Sequence, residues 1–541
     1  MLSGIENPNS MQVLAYFKAA NKSEFRQQSL ELLLILSTVS LFYLAFPTKG
    51  YSNLAWFALI PVCMALKNQD RRQAFVTGFL AATLGWFFSI WWVVPGLSSI
   101  TASTQNLIVP FVLLYCCLSA LPYALGCWLH VYLNCRESVV GALLSALNFT
   151  VLVNYTPQIL PGNLAHGLYN KPMFIQAADI GGVPLVFFII HSVCFLLANA
   201  ITIDKTNSKQ KVACLLLAII VFCANYGYGY FKINQSDPAN IATSKQIKVA
   251  MVQPNISIEN RTRDDWQQLA PELMTMIRNI TENEAVDLLI LPELPVPVSF
   301  QYFDFDKDLL NKSLLNTKLL LTAIKPIAGT LDDSKGYFNT MELVVDNQLE
   351  QRYAKQVLLP FGEYLPFEAN LPWLRKVFPY APNYKQGSAN ILFELPLSQQ
   401  SIKFVPLICY EAVFSDTVGH GVEAGGELLI NSSNDAWFGK TAGQSVHLAL
   451  STFRSVEYRK NLIRNTNNGI SVIIDPYGRQ IVSSKITPHT RGYSVTALNI
   501  VANNSFYQQF PYFIKWLFII IMAFAVVVVR NRNIKNRQIN A

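Results

Sequence analysis

Val405-Pro-Leu-Ile-Cys409-Tyr-Glu411 is a short apolar run that ends on a thiol followed directly by an acid, the pattern of a buried strand that carries a reactive group to its tip. Cys409 is also isolated: of nine cysteines, eight lie in the first 228 residues, and it alone falls in the polar stretch from about 229 to 512. An isolated thiol is a nucleophile candidate, although a free cysteine more commonly serves as a small buried hydrophobe. The surrounding residues decide between the two.

The chain of 541 residues is 52% hydrophobic and 14% charged, with a mean hydropathy of +0.28. That is too apolar for a soluble enzyme of several domains, yet the chain holds a long charged interval, so a membrane part and a soluble part are separable. Eight apolar blocks stand out: Leu30–Phe46, Leu54–Leu66, Ala74–Val94, Leu107–Leu133, Val139–Val153, Phe174–Ile203, Val212–Tyr228 and Phe513–Val529. Most approach the ~20 residues that cross hydrocarbon, the second and fifth being the shortest. The expected organisation is a membrane domain of about seven spans over 1–228, a soluble domain over 229–512, a C-terminal span over 513–529 and a basic tail over 530–541.

Orientation follows from the basic residues between blocks. With the N-terminus inside, the cytoplasmic segments carry Lys18, Lys22, Arg26, Lys67, Arg71, Arg72, Arg136, Lys205, Lys209, Lys211, Arg530, Arg532, Lys535 and Arg537, against Lys49 and Lys171 in the opposite short loops. Fourteen against two predicts that the polar interval lies across the membrane, in the periplasm of a bacterium whose inner membrane holds the spans. The first apolar block follows nearly thirty polar residues and has no small-residue cleavage site, so it is expected to stay as an anchor. A lone cysteine in an oxidising compartment has no internal partner and keeps its thiol. The net charge of +8 is explained by the inside loops, the tail and a mildly basic soluble domain, and does not call for nucleic acid.

The polar interval alternates strand and helix patterns. Strands are predicted at Ile247–Val252, Val286–Leu291, Leu319–Ile324, Thr340–Val345, Phe404–Ile408, Glu427–Asn431, Ser471–Ile474 and Tyr493–Leu498, helices at Asp264–Ile280 and Gly443–Asn461, and a turn at Asp475-Pro-Tyr-Gly478. This is a compact α/β or α+β domain. Three strand ends in it carry chemistry: Glu293 after Leu288-Leu-Ile-Leu-Pro, Lys355 ahead of Gln-Val-Leu-Leu-Pro-Phe-Gly-Glu363, and Cys409. A base to take the thiol proton, a cation for the developing oxyanion and a nucleophile are what acyl transfer through a thioester requires.

Glu293, Lys355 and Cys409, in that order and with these flanks, resemble the Glu-Lys-Cys triad of the carbon-nitrogen hydrolase, or nitrilase, superfamily. Tyr353–Pro366, Ile408-Cys-Tyr-Glu411, Asn434-Asp-Ala-Trp-Phe-Gly439 and Arg464-Asn-Thr-Asn-Asn-Gly-Ile470 are similar to the signature blocks of the apolipoprotein N-acyltransferase family, with weaker agreement at Arg454-Ser-Val-Glu457 and Gln253-Pro-Asn255. Leu291 and Leu294 depart from that pattern, which has a tryptophan before the Pro-Glu and a small residue after it; packing around Glu293 changes, its carboxylate does not. The membrane half resembles the family chiefly in Asp179-Ile-Gly-Gly.

The resemblance implies a membrane helical bundle joined to an α/β four-layer αββα sandwich. It also implies transfer of a fatty acyl chain from phospholipid, through a Cys409 thioester, to the α-amine of a diacylglyceryl-cysteine on an apolipoprotein. Glu293 is then the proton acceptor, Lys355 the oxyanion partner and Cys409 the nucleophile, while Glu363, Tyr410 and Glu411 support them. Asn434, Trp437 and Phe438, with Asp435, are candidate pocket residues, although Asn-Asp also suits a plain turn. Arg454, Glu457 and Arg464 are expected to form a structural ion-pair set. The loops Pro295–Phe303 and Tyr364–Leu374 are apolar and aromatic, suiting an interfacial layer or a lid. No cofactor or metal is expected, since the six histidines lack ligand spacing and no glycine-rich phosphate loop follows a strand. A membrane-tethered amidase or nitrilase, or an inactive scaffold, is the rival reading.

Overall fold

The computed structural model describes residues 8–101, 105–235, 245–257, 263–293, 318–326, 336–346, 348–378, 381–388, 392–397, 400–500 and 504–539. The first part is helical: α1 Pro8–Ala45, α2 Ile60–Ala65, α3 Arg71–Ser89, α4 Val93–Thr101, α5 Gln105–Tyr132, α6 Val139–Tyr155, α7 Pro172–Ile175, α8 Ala178–Thr202 and α9 Ser208–Asn234. Among the described residues, five stretches are long and apolar enough to cross a membrane: Phe25–Ala45, Gln105–Tyr132, Ala178–Thr202, Ser208–Asn234 and Phe513–Arg532. Val139–Tyr155 is a shorter apolar helix.

The second apolar block does not form a continuous span. Its helix α2 has six residues, about 9 Å of rise, between 3₁₀ turns at Ser52–Trp56 and Leu66–Asn68. The segment still runs from one end of α8 to the other: Ser52 Oγ donates to Asn170 Oδ1 at 2.8 Å, ahead of α8, while Lys67 meets Asp204 at 3.1 Å, just beyond it. Its irregular backbone packs between α1 and α8, with Ala55, Leu59, Val62 and Leu66 buried. Non-helical backbone at membrane depth is tolerated where protein covers it.

The second part is a sandwich of two six-stranded sheets. Its strands are β1 Lys245–Gln253, β2 Leu288–Ile290, β3 Lys318–Pro326, β4 Tyr337–Val345, β5 Gln348–Ala354, β6 Phe393–Pro396, β7 Ser401–Ile408, β8 Leu428–Ser433, β9 Asn461–Thr466, β10 Ser471–Ile474, β11 Gln480–Ile486 and β12 Gly492–Ile500. One sheet runs β12-β1-β2-β3-β4-β5 and the other β11-β10-β9-β8-β7-β6, with β1-β2-β3 and β7-β8-β9 parallel. The helices are α10 Arg263–Asn283, α11 Leu374–Val377, α12 Ser415–Glu423, α13 Gly443–Tyr458, α14 Phe506–Gln509 and α15 Phe513–Ile539.

The period-two pleat sorts the side chains into layers. Val249, Met251, Leu288 and Ile290 meet Phe404, Ile408, Leu428 and Ile463 between the sheets. The alternate residues Ala250, Val252, Leu289 and Leu291 pack under Leu273, Ile277 and Ile280 of α10. Leu407, Leu429 and Leu462 pack under Val418 of α12 and Leu448 of α13. The order is therefore αββα, and Leu291 fills the outer layer on the Glu293 strand.

All eight predicted strands are present, and β5, β6, β9 and β11 are added to them. Helix α13 stops at Tyr458, short of Asn461, because Arg459 is left-handed at φ 51°.

The sandwich docks on the bundle at a kink in α8, where Gly181 and Gly182 leave helical geometry. Gly182 has φ +66°, and a Cβ there would meet the Tyr507 ring at 2.8 Å. The freed amide of Val183 donates to Glu457 Oε1 at 3.0 Å. Asp179, one turn earlier, takes Arg459 Nη2 and the Tyr228 hydroxyl, each at 2.7 Å. The Asp179-Ile-Gly-Gly pattern is thus a docking device.

Candidate active site

Strand ends from both sheets converge on one edge. In sheets with parallel strands the carboxyl ends are where ligands meet the backbone. Past β2, Pro292 stops the strand and delivers Glu293; β5 ends at Ala354 and delivers Lys355; β7 ends at Ile408 and delivers Cys409; β8 ends at Ser433 and delivers Asn434. The three residues of the proposed triad are thereby brought together.

Glu293 is buried. Its Oε1 accepts from Asn339 Nδ2 at 2.8 Å and lies 3.5 Å from Lys355 Nζ, while its Oε2 accepts from the Asn434 amide at 2.9 Å. Burial lifts its pKa above the ordinary carboxylate value, with Lys355 pulling the other way. Lys355 is 1% exposed. Burial works against its charge, but Glu363, at 2.8 Å, and Glu293 outweigh that and hold it above the usual lysine value. Glu363 in turn accepts the Leu359 amide at 2.8 Å, which fixes the turn beyond Lys355.

Cys409 lies in left-handed backbone at φ 51°, a conformation that costs a residue with a Cβ about 1–2 kcal/mol. Its carbonyl accepts from Asn431 Nδ2 at 3.1 Å and lies 3.3 Å from His447 Nε2. Burial, then the neighbouring Glu293 carboxylate, push the thiol pKa up, so the resting sulfur keeps its proton. A thiol in this state needs a base at hand before it can act as a nucleophile, and Glu293 is the buried carboxylate of the same cavity.

Glu411 takes no part at the sulfur. Its Oε1 accepts Tyr353 Oη at 2.7 Å and the Gln356 amide at 2.6 Å, and its Oε2 accepts the Ile408 amide at 2.7 Å. It thus clamps the Cys409 turn to the strand that carries Lys355. The Tyr410 hydroxyl donates to the Ile159 carbonyl of the helical part.

Trp437 and Phe438 line a cavity of about 230 Å³ that also contains Glu293, Lys355, Glu363, Cys409 and Tyr410. Its other wall is Trp92, Val93, Gly96, Phe111, Val112 and Tyr115 from the helical part. Asn434 stays out of that lining: its Oδ1 accepts the Ala436 amide at 3.2 Å and caps the turn, while its own amide orients Glu293. Asp435 is fully buried against Arg464 Nη2 at 2.7 Å, so Arg464 pairs there, apart from Arg454 and Glu457, which pair with each other at 3.1 Å. The expected single ion-pair set is therefore two.

A wider cleft of about 880 Å³ beside α9 and β12 contains none of the three triad residues. Its charges are matched, Arg459 by Asp179 and Arg479 by Asp475.

The loop Pro295–Phe303 lies outside the described residues. In Tyr364–Leu374, Leu365 and Leu374 are buried while Phe367 is 73% and Trp373 49% exposed; the flanking Phe378 packs on Phe111 at 5.4 Å. The loop both packs and presents aromatic surface. Among the described residues no cluster of three or more metal-ligating side chains occurs. Asn339, Asn431 and His447 were not foreseen from sequence, because each reaches the site through strand pairing or helix docking far from the triad motifs.

The chain matches two family models in tandem: the apolipoprotein N-acyltransferase N-terminal domain over residues 39–196 and carbon-nitrogen hydrolase over 248–502. It is 25% identical to an apolipoprotein N-acyltransferase of Geobacter metallireducens across 90% of this chain and 92% of that one. To the Chromobacterium violaceum enzyme of that name it is 27% identical, across 82% and 84%. To that of Vibrio cholerae it is 31% identical, across 58% and 60%. Among solved structures, an amidase from Nesterenkonia sp. aligns at 18% identity and a TM-score of 0.34, covering 49% of this chain and 92% of that one. Helical half and sandwich half thus match the two halves of one architecture, and the chain belongs to the apolipoprotein N-acyltransferase family.

Proposed function

We propose that this multi-pass membrane protein moves a fatty acyl chain from phospholipid, through a thioester on Cys409, to the α-amine of a diacylglyceryl-cysteine at the N-terminus of an apolipoprotein. The observation that carries the reading is the cavity: it joins Glu293, Lys355 and Cys409 to an apolar wall contributed by α4 and α5. A polar carbon-nitrogen substrate gives no reason for that wall, whereas an acyl chain does.

Glu293 takes the thiol proton as the sulfur attacks the ester carbonyl. Lys355, held by Glu363, faces the oxyanion that develops. The tetrahedral centre collapses, Glu293 returns the proton to the departing oxygen, and lysophospholipid leaves. The free amine of the lipoprotein then attacks the thioester carbonyl, Glu293 accepts the amine proton, and the thiol is restored as the amide forms. The two half-reactions share one site and predict ping-pong kinetics.

The basic residues support an inner-membrane location with the sandwich in the periplasm. Lys67, Asp204 and Arg136, whose Nη2 donates to the Gln69 carbonyl at 2.5 Å, gather at one end of the bundle. Thin-layer analysis of purified protein with labelled phospholipid and a diacylated lipopeptide tests the reading. Transfer of label to the lipopeptide is expected; release of free fatty acid or ammonia instead indicates a hydrolase, and no turnover an inactive scaffold.

A further inference from the structure

His447 is buried on α13 and the acyl-transfer steps make no use of it. Its Nε2 lies 3.3 Å from the Cys409 carbonyl, and its Nδ1 lies 3.1 Å from both Arg464 Nη2 and Asp435 Oδ1. The second contact to that carbonyl is Asn431 Nδ2 at 3.1 Å, and Asn431 Oδ1 accepts Arg464 Nη1 at 2.9 Å. One guanidinium therefore touches the far side of both groups that face the Cys409 carbonyl. A guanidinium only donates. Its Nη1 must meet the oxygen of Asn431, which turns the amide N–H₂ toward Cys409. Its Nη2 donates to an unprotonated Nδ1, and the ring proton then sits on Nε2, again toward Cys409. Each neutral tautomer sets one pair of acceptors against each other, Nε2 and the Cys409 carbonyl in one, Nδ1 and Asp435 Oδ1 in the other; the Nε2–H form is the one that leaves Asp435 still held, by Ser433 Oγ at 2.9 Å and Arg464 Nη2 at 2.7 Å. Asp435, 2.7 Å from Arg464, completes the arrangement by neutralising the cation.

We propose that Arg464 polarises His447 and Asn431 as positioning residues, whose two hydrogen bonds to the Cys409 carbonyl lock its left-handed backbone so that the sulfur meets Glu293. The inference rests on the proposed role of Cys409 as nucleophile. Misplacing a reacting atom by about 1 Å costs on the order of 100-fold in rate, so the lock acts on reaction at the sulfur and leaves substrate affinity alone.

The test is peptide-resolved mass spectrometry of Cys409 alkylation by iodoacetamide in the full-length protein in detergent, beside acyl-enzyme formation from phospholipid. Gln reaches the Nε2 position with an N–H donor, whereas Asn is too short. H447Q should alkylate and acylate within about threefold of wild type, and H447N should be slower by about tenfold or more in both, with KM for phospholipid unchanged. Equal rates for H447N and wild type overturn the proposal, as does H447Q as slow as H447N, or a loss confined to KM. If wild type alkylates but forms no acyl-enzyme, the acyl-transfer reading fails while the alkylation ranking still judges the lock. Nitrogen NMR of the wild-type imidazole needs no variant: a neutral ring protonated at Nε2 is expected, and one protonated at Nδ1 overturns the proposal.

Discussion

As the proposed base Glu293 must be ionised, yet burial shifts it toward the protonated form. Burial raises its pKa above 4.5, and Lys355 offsets this only in part. The acylation rate is therefore predicted to rise with pH through that raised value and to fall as acid protonates the carboxylate; a rate already at plateau at pH 4.5 contradicts the assignment. Replacing Glu293 with Gln removes the proposed base while keeping its size and one of its two acceptor oxygens, and should slow acylation by about 100- to 10,000-fold in single-turnover measurements. Asp435 behaves oppositely. Burial disfavours its charge, but Arg464, with the Ser433 hydroxyl, outweighs that and holds it well below the ordinary carboxylate range. Its stabilisation is present above the unfolded-state value and is lost as pH falls through the folded one. D435N leaves Arg464 buried without an anion and should cost about 3–5 kcal/mol in denaturation measurements; an unchanged midpoint contradicts the pairing.

The kink in α8 couples the two halves through backbone. G182A introduces a Cβ 2.8 Å from the Tyr507 ring at a position with φ +66°, and should lower stability by about 1–3 kcal/mol in thermal unfolding. An unshifted midpoint argues that the kink carries no docking load. The strands that deliver Glu293 and Cys409 are legible in sequence because each is a short apolar run stopped by proline or by chemistry. β9 is not, because Asn461-Leu-Ile-Arg-Asn-Thr466 buries Arg464 and Asn465, polar residues whose partners, Asn431, Asp435 and His447 for the first and the Ile290 carbonyl for the second, are distant in sequence. β5 hides for the opposite reason: it is an edge strand whose Gln348, Glu350 and Gln351 read as loop. The second apolar block is legible as apolar but not as broken, since its short helix depends on packing between α1 and α8. Asn339 is paired to Glu293 across 46 residues by strand register, a relation that local pattern does not carry.

The bundle and the sandwich make one site between them, and topology decides which lipids reach it. With the sandwich in the periplasm, a membrane-impermeant maleimide should label V482C, at a position 82% exposed on β11, in intact spheroplasts, and K535C only after lysis. The reverse labelling would invert the orientation. What the whole assembly is proposed to do, however, passes through a single bond. Mass spectrometry of the Cys409 peptide after incubation with phospholipid, before and after addition of a diacylated lipopeptide, tests it most directly. The account predicts a fatty acyl adduct on Cys409 that disappears as the lipopeptide gains an amide-linked chain, and no adduct in C409A; an adduct that survives in C409A, or transfer without any adduct in the wild type, contradicts it.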